Sequence, residues 1–174
     1  MMKVVGFVVV VAIVAVLLLA TRQPATFRVE RATTINASPE KVAGLVNDFH
    51  KWEGWSPWAK LDPKMTTTYS GAPSGVGQVY AWSGNSKVGS GQMEIIRIEP
   101  SATTIKLDFL KPMEGHNTAT FLYEPQGGST RVAWVMTGPN NYMAKVMHVF
   151  VSMDTIIGGD FAKGLANLKT EAEK

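Results

Sequence analysis

One stretch limits the architectures open to this chain. Tyr142 to Ala172 is the only long helical segment that follows a series of short strand-like ones. A sheet with one apolar face must bury it against another layer, and here that layer has to come from the C-terminus. Val146, Val149, Phe150 and Met153 recur at helical intervals in its first half, and Phe161, Leu165 and Leu168 in its second. Gly158 and Gly159 are poor helix-interior residues. The spacing therefore predicts a short leading helix, a bend near Asp154–Gly159, and a final helix running into the charged Lys169–Lys174.

The segments before it alternate with the period of strands. In Thr26–Ile35, Phe27, Val29 and Ile35 share one face and Arg28 and Glu30 the other. Ser38-Pro39-Glu40 has the form of a helix start, with Ser38 as N-cap and Pro39 at the first helical position. Val42, Leu45 and Val46 give that helix its buried stripe. Trp52, Trp55 and Trp58 then fall within seven residues, and Pro57 stops the short helix that carries the first two. Further strands are predicted over Thr66–Tyr69, Gln78–Trp82, Gly91–Glu99, Thr104–Leu110, Asn117–Tyr123 and Arg131–Thr137. Gly91–Glu99 carries apolar residues on both faces, a phase change that predicts a bulge. Strands and helices do not alternate, so the fold class is α+β with an antiparallel sheet of about six or seven strands.

Val4–Thr21 carries no charge and has no polar face. At about 1.5 Å per residue it nearly crosses a hydrocarbon core. A cut after Ala20 would place Leu18 where a leader peptide needs a small residue, which favours an uncleaved single-pass anchor over a cleaved signal. The organisation read from this is an anchor at residues 1–22, a linker at 23–25 containing Pro24, and a domain at 26–174. Lys3 favours an N-terminus inside, whereas Arg22, Arg28 and Arg31 argue the other way. The expectation adopted is a domain on the non-cytoplasmic side of the membrane.

Composition excludes several chemistries. There is no cysteine, hence no thiolate nucleophile, no disulfide and no Cys-based metal site. His50, His116 and His148 match no metal-ligand spacing, so no metal is expected. The net charge of +3 comes without a Lys/Arg run, so no nucleic-acid footprint is present. The sequence has no Gly-x-Ser-x-Gly elbow, no phosphate loop and no dinucleotide fingerprint, and it implies no cofactor. His116 in an expected loop, with Asp108 and Glu94 on strands, is the only group set that offers acid–base chemistry. Solvated surface charge is the better reading of all three, so no catalytic residue is named.

A set of local motifs resembles a known family. They are Ile35-Asn36-Ala37-Ser38-Pro39-Glu40-Lys41-Val42, Trp52-Glu53-Gly54-Trp55-Ser56-Pro57-Trp58, Tyr69-Ser70-Gly71, Gly75-Val76-Gly77, Tyr80-Ala81-Trp82, and Gly158-Gly159-Asp160-Phe161-Ala162-Lys163-Gly164-Leu165. Together they resemble the START-like (SRPBCC) superfamily, in its polyketide cyclase/dehydrase-like branch, from about Thr26 to the C-terminus. The resemblance implies a helix-grip fold, in which a curved antiparallel sheet wraps a long C-terminal helix around an apolar cavity. It implies a hydrophobic small molecule or lipid as partner, while a minority of members are enzymes.

Residues expected to line such a cavity are Trp55, Trp58, Tyr80, Trp82, Met93, Phe109, Trp134, Met136 and Phe161. They combine large apolar area, a polarisable thioether and a few N–H or O–H handles. Gly158, Gly159, Ala162 and Ala166 are where a thinned helix would leave the room. The reading is a membrane-anchored binding domain for a hydrophobic molecule. A cavity enzyme of the cyclase, dehydrase or hydrolase kind, and a co-chaperone-like interaction module, stay open beside it.

Overall fold

The computed structural model describes residues 2–174. Helix α1 (Met2–Thr21) leads into strand β1 (Thr26–Ile35), helix α2 (Pro39–Val46) and a 3₁₀ helix over Phe49–Gly54. Six strands follow: β2 (Thr66–Gly71), β3 (Gln78–Ser83), β4 (Ser90–Glu99), β5 (Ala102–Lys111), β6 (Gly115–Gln126) and β7 (Ser129–Pro139). Helices α3 (Tyr142–His148) and α4 (Met153–Ala172) close the chain. The strands form one seven-stranded antiparallel sheet in the order β1-β7-β6-β5-β4-β3-β2. This is the α+β class expected from the pattern, in the helix-grip arrangement that the resemblance implies.

Local chemistry explains the joints. The Ser38 hydroxyl accepts from the Lys41 backbone N–H, and Pro39 occupies the first turn of α2. The β6–β7 turn holds Gly127 and Gly128 at φ of 56° and 99°, a left-handed pair that any side chain would strain. In β4 the register with β5 slips between Ile95 and Arg97, so the expected bulge falls at Ile96.

Three expectations are corrected. The bend in the C-terminal region lies at Val149–Ser152, not at Asp154–Gly159. The Ser152 hydroxyl caps α4 by accepting from the Thr155 N–H, and both glycines lie inside the helix. His116 sits in β6 rather than a loop, opposite Asp108 of β5. Asp108 is buried, held by Lys106 at 2.8 Å and His116 at 2.7 Å, rather than solvated.

Helix α4 runs chiefly along β1. Arg31 of β1 donates to both carboxylate oxygens of Asp154, at 2.6 and 3.0 Å, and its guanidinium occupies the space beside Gly158. Phe161, Leu165, Leu168 and Ala172 form the buried stripe of α4. The other side of the sheet's inner face, from β2 to β5, is left without a helix over it, and this is where the interior stays open.

Candidate functional site

The cavity under that face has a volume of about 860 Å³. Strand alternation places its wall. Tyr80 and Trp82 come from β3, Met93 from β4, Ile105, Leu107 and Phe109 from β5, and Trp134 and Met136 from β7. Ile156, Ile157, Asp160 and Phe161 of α4 close it from the other side. Lys60, Pro63, Ser86, Lys87, Pro112 and Ile156 belong to the wall yet are exposed, and they mark the mouth. A second exposed stretch of the wall consists of Glu53 with Thr67 and Tyr69 of the free edge strand β2.

Of the nine residues expected to line a cavity, eight stand in this wall: Trp58, Tyr80, Trp82, Met93, Phe109, Trp134, Met136 and Phe161. Trp55 does not. It is fully buried behind the wall, 4.5 Å from Trp52 between ring centres and edge-on to Phe121 and Trp134. The small residues expected to make the room do not line it either. Ala162 and Ala166 are exposed, Gly159 meets open space, and Gly158 faces Arg31. The docking of α4 on β1 turns those positions away from the cavity, and Ile156 and Ile157 face it instead.

Trp134 is the centre of the wall. It stacks on Phe161 at 4.3 Å and 11°, lies 4.8 Å from Phe121, and meets Trp58 edge-on at 5.6 Å. Gly164 lets α4 approach this cluster, since a Cβ there would stand 2.8 Å from the Trp134 ring and 3.1 Å from Pro57. Three of the other four indoles are satisfied by carbonyls: Trp52 donates to Val46, Trp55 to Leu45 and Trp82 to Val88. The buried N–H of Trp134 has no partner among the described residues.

The polar part of the wall is sparse. Burial, with Tyr69 and Glu53 nearby, pushes the Tyr80 phenol up to about 12, so it remains an O–H donor at neutral pH. Asp62 is engaged in loop closure, accepting from the backbone N–H groups of Lys64 and Asn85. Among the described residues, no ion pair joins two groups of the wall, and no cluster of three potential metal ligands occurs. Asp108, His116 and Glu94 alternate with wall-facing neighbours and so project from the opposite face of the sheet. The arrangement can enclose an apolar molecule and orient it by one or two hydrogen bonds.

Sequence reasoning did not single out Ile156, Ile157 or Asp160. Their signal is positional: they lie within about one and a half turns before Phe161 on the same helix.

No curated protein matches the chain. Solved structures share its fold at low identity. Major latex-like protein 151 from Panax ginseng superposes with a TM-score of 0.61 at 12% identity, over 87% of this chain and 100% of that one. The di-domain ARO/CYC BexL from the BE-7585A biosynthetic pathway gives 0.60 at 17%, over 90% of this chain and 53% of that one. The Aha1 dimer from Colwellia psychrerythraea gives 0.58 at 20%, over 84% and 96%. The model of one family, described as polyketide cyclase / dehydrase and lipid transport, matches residues 26–173, and the chain belongs to that family.

Proposed function

We propose that this protein is a membrane-anchored domain that binds a hydrophobic small molecule or lipid in the cavity under β2–β7. The observation that carries this reading is the wall itself: aromatic and aliphatic, about 860 Å³, and without paired ionisable groups. That volume lies in the usual range for small-molecule sites, roughly 300–1,000 Å³. A family described by both polyketide chemistry and lipid transport supports an apolar ligand. Trp134 would orient it, because a buried donor left without a partner costs free energy that an acceptor on the ligand would recover. The organisation follows the same reading: residues 1–22 anchor, 23–25 link, and 26–174 bind. Val4–Thr21 is long and apolar enough to cross a bilayer, and nearly every side chain from Val4 to Leu19 is exposed.

The test is native mass spectrometry of the full chain released from detergent, followed by identification of any retained small molecule. Ala119→Phe and Leu107→Trp each place bulk in the cavity from different strands. Both variants should lose the retained molecule while keeping the near-ultraviolet signature of the aromatic cluster. Unchanged retention in a folded variant would show that the cavity is not the binding site.

A further inference from the structure

The edge of the sheet at which the cavity opens is also the edge at which the chain leaves α1. In the antiparallel order, β1, β2, β4 and β6 begin at that edge and β3, β5 and β7 end there. The turns 84–89 and 112–114, which bring Lys87, Val88 and Pro112 to the mouth, therefore lie at the same end of the strands as Thr26, farther across the sheet. Helix α3 packs on α1 at the same edge, where the Tyr142 hydroxyl donates to the Leu17 carbonyl at 3.3 Å. Leu17 lies four residues inside the end of the apolar span Val4–Thr21, which is about 6 Å along the helix axis. A helix packed on α1 and bonded to it through a side chain at that depth lies against a membrane that α1 crosses. What it then exposes is apolar: Met143, Met147, Phe150 and Val151, with Leu110 at the end of β5 and Met113 on the β5–β6 turn exposed at the same end of the sheet. Tyrosine suits the bilayer interface, and the Lys87 and Lys111 stems can lie on apolar surface while their ammonium groups reach headgroups.

We propose that this rim is a second membrane contact, seated in the interfacial layer of the leaflet that α1 enters, so that the cavity opens onto acyl chains. The partner is a phospholipid bilayer surface, and the inference rests on α1 being a membrane anchor. The ligand then arrives from the leaflet rather than from water.

The chain has no cysteine, so single labels are clean. The full chain is reconstituted into phosphatidylcholine/phosphatidylglycerol vesicles with an environment-sensitive fluorophore on Phe150→Cys, Met113→Cys, Val76→Cys or Ile98→Cys. Val76 and Ile98 are exposed apolar residues at the opposite edge of the sheet. Labels at 150 and 113 should emit blue-shifted and be quenched several-fold more by spin-labelled lipid than by iodide, with the reverse order at 76 and 98. Iodide quenching at 150 and 113 equal to that at 76 overturns the proposal. So does protection from both quenchers, which would mean that a protein or a second copy covers the rim. Carbonate washing of the same vesicles separates the two failures. Retained protein with aqueous labels at 150 sinks the rim alone; released protein sinks the anchor, and the rim with it.

Discussion

Trp55 and Trp134 are both enclosed indoles of one aromatic cluster, yet they should respond differently to substitution. Trp55 donates to Leu45 and touches no part of the cavity, so its work is packing. Trp55→Ala should cost about 3–5 kcal/mol, read by chemical denaturation. Trp134→Phe keeps most of the ring area and removes an unpartnered N–H. It should leave the unliganded protein as stable as before or up to about 1 kcal/mol more so, while weakening ligand retention. A stability loss with retention unchanged would make Trp134 a packing residue only. Asp108, the most enclosed of the carboxylates whose titration folding lowers, contributes to the pH dependence. Its hydrogen bond from Lys106, then that from His116, holds its carboxyl below the ordinary carboxylate value. In the unfolded chain the group titrates near about 3.9, so as pH falls past that point the unfolded state takes the proton first. Stability is thus fully present above about pH 4 and is lost as pH falls through the lower folded value. Asp108→Asn should flatten this acid limb of the denaturation profile.

At the scale of elements, the three glycines of α4 make a graded test. A Cβ at Gly159 meets nothing, so Gly159→Ala should stabilise by about 0.5–1 kcal/mol through helix propensity. At Gly158 the obstacle is the end of the Arg31 side chain, which can swing away at the expense of its pairing with Asp154. At Gly164 the obstacles are the Trp134 ring and Pro57, both fixed by packing, and Gly164→Ala should be destabilising by about 1–3 kcal/mol. Thermal denaturation of the three variants should return the order 159, 158, 164. This helix also shows where sequence reasoning stops. Strand faces were legible because alternation fixes which side chains share a side, and eight of the nine expected residues do meet around one cavity. Trp55 failed to reach the wall because it caps the back of the cluster, a three-dimensional fact with no periodic signal. The room-making role assigned to Ala162 and Ala166 failed because the rotation of α4 about its axis is set by its seat on β1. The bend falls instead at Ser152, six residues before Gly158, because its hydroxyl caps α4 and the helix then runs through both glycines despite their weak propensity.

At the scale of the molecule, we propose that residues 26–174 lie on the non-cytoplasmic side of the membrane. Val76→Cys, at the edge of the sheet remote from α1, should react with a membrane-impermeant maleimide in intact cells. Reaction only after permeabilisation would reverse the assignment. Between α1 and β1 stand only Arg22, Gln23, Pro24 and Ala25. Asn140, just past β7, clamps this passage: its backbone N–H donates to the Ala25 carbonyl at 2.8 Å and its side-chain amide to the Pro24 carbonyl at 3.1 Å. A tether held at two points by a buried residue does not act as a swivel. The domain should then share the slow rotation of its anchor, and a fluorophore fixed on it should show no nanosecond loss of anisotropy beyond its own wobble. Asn140→Ala removes the contact to Pro24 while the backbone bond to Ala25 and the packing of α3 on α1 remain, so it should loosen the restraint only in part and add a small nanosecond component.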